Sequence, residues 1–172
     1  MKTLWYTSHN LFQRGLKEMK EYEINEETMA IVPISFYKTK VIETEKEIIV
    51  LENAYKLMDY NCRFYGSTYK GRFNAGKKML NLSYKIPIII HEGAGIIFFP
   101  TRSSLDEECA WINYNYVKSI EKGDNKTRIN FTNNTYIESD RSKLSLDNQL
   151  ARSLQLESIM RRRANSIYIE KR

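Results

Sequence analysis

Arg63, Lys70, Arg72, Lys77, Lys78 and Lys85 fall in one stretch, Tyr60 to His91, that contains no aspartate or glutamate. Tyr60, Phe64, Tyr65, Tyr69, Phe73 and Tyr84 are threaded among these cations, and Gly66, Gly71 and Gly76 recur at an interval of five. Cations without counter-charges, flat rings and bare backbone suit a polyanion better than a small neutral substrate. If all six cations reached phosphates, the logarithm of the binding constant would fall with log salt at a slope of roughly −5. Arg63 and Arg72, with Asn74, have the chemistry to enter a narrow A·T minor groove, where arginine meets the deepest negative potential, while rings wedge or stack. The plainer alternative is a solvated basic face whose rings belong to the core.

Other chemistries fit less well. Gly71-Arg-Phe-Asn-Ala-Gly76-Lys77 satisfies G-x-x-x-x-G-K, but Lys78 stands where a phosphate-binding loop needs Ser or Thr for magnesium. No apolar strand leads into it. Cys62, Cys109, His91 and His9 show no metal-ligand spacing, so no metal and no cofactor is expected. A Cys62/His91 nucleophile pair lacks an oxyanion motif, and a small buried thiol is the better reading. No enzyme is predicted.

The charge is concentrated in this stretch: residues 1–59 carry −2, residues 60–91 carry +6 and residues 92–172 carry +2 of the net +6. A chain of 172 residues can bury one core without staples and is short for two domains. Two cysteines make no disulfide framework and read as reduced thiols. No apolar run approaches the ~20 residues of a membrane span, and Met1-Lys-Thr-Leu-Trp-Tyr6 lacks a secretion signal. The expectation is a soluble, cytoplasmic protein that contacts no membrane.

The elements that must position the cations follow from periodicity. Glu21–Ile24 with Thr28–Pro33, and Lys38–Thr44 with Glu47–Leu51, read as hairpins. Ala54–Asp59 reads as one or two helical turns. Over residues 68–81 a helix would align Tyr69, Phe73, Gly76 and Leu80 on one face, leaving Lys70, Asn74, Lys77, Lys78 and Asn81 on the other. Ile86–Ile90 and Ile96–Phe99 form an apolar hairpin with Pro87 and Pro100 marking strand ends or an edge. Ile112, Tyr114 and Tyr116 alternate with asparagines as a strand; hairpins follow across Gly123-Asp-Asn125 and Asn133-Asn134. Leu144–Arg163 reads as a long helix capped by Ser145 or Asp147. Its two leucine-rich stripes exceed one docking face, so Leu150, Leu154 and Ile159 are candidates for a contact between copies. The fold class is α+β: mostly antiparallel β-hairpins with a short basic helical segment in the middle and one long C-terminal helix. Residues 1–20 are an N-terminal arm, 21–164 a single domain and 165–172 a short tail.

Cys62-Arg-Phe-Tyr-Gly-Ser-Thr-Tyr-Lys-Gly-Arg72, Pro87-Ile-Ile-Ile90, Phe98-Phe-Pro-Thr-Arg-Ser-Ser104 and Cys109-Ala-Trp-Ile112 resemble, in order and spacing, the ComK family of competence transcription factors of Gram-positive bacteria. The resemblance runs from about Tyr22 to about Arg162. It implies an activator of DNA-uptake genes that binds A·T-rich double-stranded DNA through the minor groove, pairs with itself as a dimer or dimer of dimers, and is delivered by an adaptor to a Clp protease. The family's longer C-terminal tail is mostly missing here, which puts adaptor control in question. The acid-free stretch and the family blocks together make Arg63, Lys70, Arg72, Asn74, Lys77 and Lys78 the candidate DNA-binding residues. The rival is a regulatory protein-interaction module without direct DNA contact.

Overall fold

Apolar residues alternate along the strands on both faces, so the main sheet must be covered on both sides. The computed structural model describes residues 18–169. Its larger sheet contains β1 (Glu18–Met19), β2 (Thr28–Ser35), β3 (Lys38–Glu43), β4 (Glu47–Val50), β5 (Ile88–His91), β6 (Ile96–Pro100) and β7 (Trp111–Asn113). The strand order is β1-β4-β3-β2-β7-β6-β5, antiparallel except where β1 meets β4. A three-stranded antiparallel sheet follows: β8 (Val117–Lys122), β9 (Thr127–Phe131) and β10 (Tyr136–Ser139). The helices are α1 (Ala54–Phe64), α2 (Tyr69–Leu80) and α3 (Lys143–Ile169).

Along β2, Ile31 joins one core with Val41, Phe98 and Trp111 and with Leu57, Met58 and Cys62 of α1. Ala30 and Val32 join the other, with Phe99, Ile112, Ile129, Phe131 and Ile137 and with Leu146 and Leu156 of α3. The larger sheet is thus sandwiched between α1 on one face and the smaller sheet with α3 on the other. The α+β class holds, as do the β3–β4, β5–β6, β8–β9 and β9–β10 hairpins and the helix over α2.

Four local expectations are corrected. Glu21–Ile24 is not a strand, because side chains satisfy its backbone: Asn61 accepts from the Ile24 N–H (2.7 Å) and donates to the Tyr22 carbonyl (3.0 Å), and the Tyr65 hydroxyl donates to the Ile24 carbonyl (2.8 Å). Thr28–Ser35 pairs instead with β3. Helix α1 runs on past Asp59 to Phe64, since Asn61 and Cys62 extend its buried face. Strand β7 stops at Asn113, whose side chain accepts from the Asn115 N–H (3.2 Å) and turns Tyr114–Tyr116 into a 3-10 helix. Helix α3 is capped at Ser142, whose Oγ accepts from the Ser145 N–H (3.2 Å), and it continues through Ile169 over positions assigned to the tail. Of the predicted arm, residues 1–17 lie outside the described residues, and Glu18–Met19 form β1.

Candidate nucleic-acid interface

Helix α1 starts at Asn53, whose side chain accepts from the Lys56 N–H (2.8 Å). It ends where Gly66 takes φ +80°, a conformation that only glycine adopts without strain, with its N–H bonded to the Arg63 carbonyl (3.0 Å). Helix α2 begins three residues later, at Tyr69, capped by the Thr68 hydroxyl on the Gly71 N–H (3.0 Å). Asp59 holds this helix–turn–helix junction together. One carboxylate oxygen accepts from the Tyr69 N–H (2.8 Å) and the other from Arg63 Nε (2.8 Å). Burial pushes the Asp59 carboxyl up, but the bonds from Arg63 and Tyr69 outweigh it and hold the group below its ordinary value of 3.8.

The inner face of α2 is fixed by packing. The Tyr69 ring lies edge-on to Trp111 (5.6 Å between centroids) and against Tyr55 (4.8 Å); its burial raises the phenol's pKa. Gly76 is buried where α2 crosses the chain entering β5, and a Cβ there would stand 2.5 Å from Ile86 Cγ2. The opposite face carries Lys70, Asn74, Lys77 and Lys78, all exposed. Among the described residues none of the three lysines has a carboxylate within ion-pair distance. Lys77 and Lys78 sit in the last turn, where the helix dipole favours cations.

The two arginines behave differently. The carboxylates that bound the acid-free stretch, Asp59 and Glu92, each reach back to an arginine inside it. Arg63 pairs with Asp59 while staying mostly exposed. Arg72 is 14% exposed; its Nη1 meets Glu92 (2.6 Å) and its Nη2 donates to the Tyr65 carbonyl (3.2 Å), stapling the α1–α2 turn to the β5–β6 turn. The six predicted site residues therefore divide. Lys70, Asn74, Lys77 and Lys78 share one open face, Arg63 is held on α1 in a surface pair with Asp59, and Arg72 is a structural tie. The rings divide similarly: Tyr65, Tyr69 and Phe73 pack on the core, whereas Phe64 and Tyr84 are exposed.

Gly71–Lys78 lies wholly inside α2, so its backbone N–H groups serve the helix and form no phosphate cradle. Burial pushes the Cys62 thiol up to about 12, and His91 Nδ1 accepts from the Ala94 N–H (2.9 Å). Among the described residues no cluster of three or more His, Cys, Asp or Glu is arranged to hold a metal ion.

On α3, Leu146 and Leu156 are fully buried, and Leu150 and Ile159 pack half-buried on the same core. Of the three residues considered for a contact between copies, only Leu154 is exposed, at 50%. Two surface features escaped the sequence reading. Arg152 of α3 sits over the Tyr84 ring (5.4 Å). Ile34, Phe36, Tyr37 and Leu105 are exposed, and Phe36 and Leu105 line a cleft of about 320 Å³ with Tyr55 and Trp111. The signal for the second was Phe36-Tyr37 at a two-residue hairpin turn, a place that normally takes Asn or Gly.

Comparison with known proteins agrees with the blocks quoted above. A family model described as ComK protein matches residues 19–165. The Bacillus subtilis (strain 168) protein named Competence transcription factor is 31% identical over 144 residues, covering 81% of this chain and 75% of that one. No solved structure matches.

Proposed function

The chain belongs to the ComK family and is a transcriptional regulator of competence, and we propose that it activates DNA-uptake genes by binding A·T-rich duplex DNA through the lysine face of α2. The observation that carries this is the set of three unpaired lysines with Asn74 on a helix packed firmly along its other side. Lysine is a compact point charge suited to phosphate, and an asparagine amide can donate to the adenine N3 and thymine O2 acceptors on the minor-groove floor.

Size constrains the pose. A helix with side chains is about 10–12 Å across and the B-form minor groove about 6 Å wide. Helix α2 therefore lies over the groove, with Lys70, Lys77 and Lys78 on phosphates at its rims and Asn74 reaching inward. Counting the three lysines of the α2 face alone, without the paired Arg63 and Arg72 and the half-buried Lys85 of the loop beyond the helix, the salt slope is roughly −3. Pairing of copies and delivery by an adaptor to a Clp protease belong to the same reading; of Leu150, Leu154 and Ile159, Leu154 is the exposed one available to pairing.

Replacing A·T by inosine·cytosine pairs tests the groove, because I·C matches A·T in the minor groove and G·C in the major. Retained affinity on I·C sites supports minor-groove entry; affinity that falls to the G·C level contradicts it. The rival reading, a module without direct DNA contact, is favoured by the exposed cluster of Ile34, Phe36, Tyr37 and Leu105. It predicts no preference between A·T and G·C duplexes at any salt.

A further inference from the structure

Resting on that reading of α2, we infer that Tyr84 is a second DNA contact, a ring that wedges a base step beyond the C-terminal end of the helix, and that Arg152 positions it. The chain leaves α2 through Asn81 at φ 53° and reaches Lys85 at φ 50°, two left-handed residues in five that are neither of them glycine. Asn81 is the C-cap of α2, where asparagine takes this conformation readily, but a lysine at φ 50° persists only where the surroundings hold it. Arg152 supplies the hold. Its Nη1 lies 3.4 Å from the Tyr84 carbonyl and 3.5 Å from that of Lys85, and its guanidinium covers the ring. With its amide nitrogen toward Lys85, the buried Gln149 donates to that carbonyl (3.0 Å) and accepts from Arg152 Nη1 (3.0 Å).

This loop is fixed relative to the lysine face. The Leu82 N–H bonds back to the Lys77 carbonyl (3.2 Å). Leu156, one turn after Arg152 on α3, lies beside Gly76, with its Cδ2 4.0 Å from where a Cβ would stand. A network of this kind nevertheless ends in a ring that is 64% exposed. The other exposed ring of the stretch, Phe64, stacks on Tyr60 (6.5 Å) and meets Tyr65 edge-on (4.9 Å), whereas Tyr84 has no ring neighbour among the described residues. An exposed ring held by Arg152, in the loop that leaves the helix end carrying Lys77 and Lys78, fits a nucleic-acid base, and a wedge that kinks the duplex would widen the groove that α2 otherwise spans.

The test places 2-aminopurine at successive steps of an A·T-rich duplex and measures affinity, fluorescence and bend angle for the full chain. Wild-type protein should raise the fluorescence at one step, reporting unstacking. Tyr84→Ala should abolish that rise, reduce the bend and weaken binding roughly tenfold with an unchanged salt slope, since no charge is lost. Tyr84→Phe should behave as wild type. Arg152→Gln should lose the fluorescence rise through the freed ring, while Arg152→Lys tests whether the charge without the fork suffices. Wild-type affinity and bend in Tyr84→Ala overturns the inference. If Lys77→Ala is weakened while Tyr84→Ala is not, only this inference falls; if neither is weakened, the α2 reading falls with it.

Discussion

Two helices of this protein carry clusters of cations, and they hold them differently. On α2, Lys70, Lys77 and Lys78 stand opposite a face pinned by Tyr69, Gly76 and Leu80, and the helix is tied at its start by Asp59. On α3, Arg161, Arg162 and Arg163 follow the last residues that pack on the core; residues 161–166 are all exposed, and Arg161 is paired with Glu157. The first array is preorganised and unpaired, the second projects and is partly neutralised. Cations on a docked helix meet phosphates at a lower ordering cost than those on a projecting helix end, so an equal number of cations gives unequal binding.

The difference can be broken from the α2 side. Changing Lys70, Lys77 and Lys78 together to alanine should weaken duplex binding at low salt by on the order of a hundredfold, measured by fluorescence anisotropy, with the melting temperature preserved. Gly76→Ala tests the support without touching the charge. Its Cβ forces α2 away from Ile86, so stability should fall by about 1–3 kcal/mol in urea titration, and affinity should fall even where the protein remains folded. On α3, changing Arg161, Arg162 and Arg163 together to alanine should cost less than about threefold in affinity, because only a projecting end is lost. A loss matching the lysine triple would remove the distinction.

The smallest effect concerns the junction. The Asp59 pKa is lowered on folding, so the stability it contributes is complete above about pH 4 and is lost as pH falls through its folded value. Thermal unfolding of wild type and Asp59→Asn between pH 3 and 6 should show a steeper acid decline in the wild type. Parallel curves would mean that the carboxylate does not hold α2.

Much of this was legible in the sequence because it is local. The helix over α2 and its polar sector follow from a 3.6-residue period, and the hairpins from alternation and turn residues. The absence of acids between Tyr60 and His91 located the basic face, but it overstated the charge available there. Asp59 and Arg63 are four apart on a helix, a pair that spacing alone announces once α1 is known to reach Phe64. Arg72 and Glu92 are twenty apart and meet only because the β5–β6 turn folds back beside α2. Glu21–Ile24 has the alternation of a strand, yet Asn61, distant in sequence, satisfies its backbone. The stripes of α3 looked like two faces because a helix seated against a sheet and a 3-10 turn buries a wider arc than one docked on a single partner.

The central claim is that the three lysines of the α2 face, and not all six cations of the stretch, meet DNA phosphates. Its most direct test is the salt dependence of binding to one A·T-rich duplex, compared between wild type and the Lys70, Lys77 and Lys78 triple alanine variant. The account predicts a slope of roughly −3 for the wild type and a nearly flat line for the variant. A wild-type slope of about −5, or a variant that keeps the wild-type slope, would contradict it.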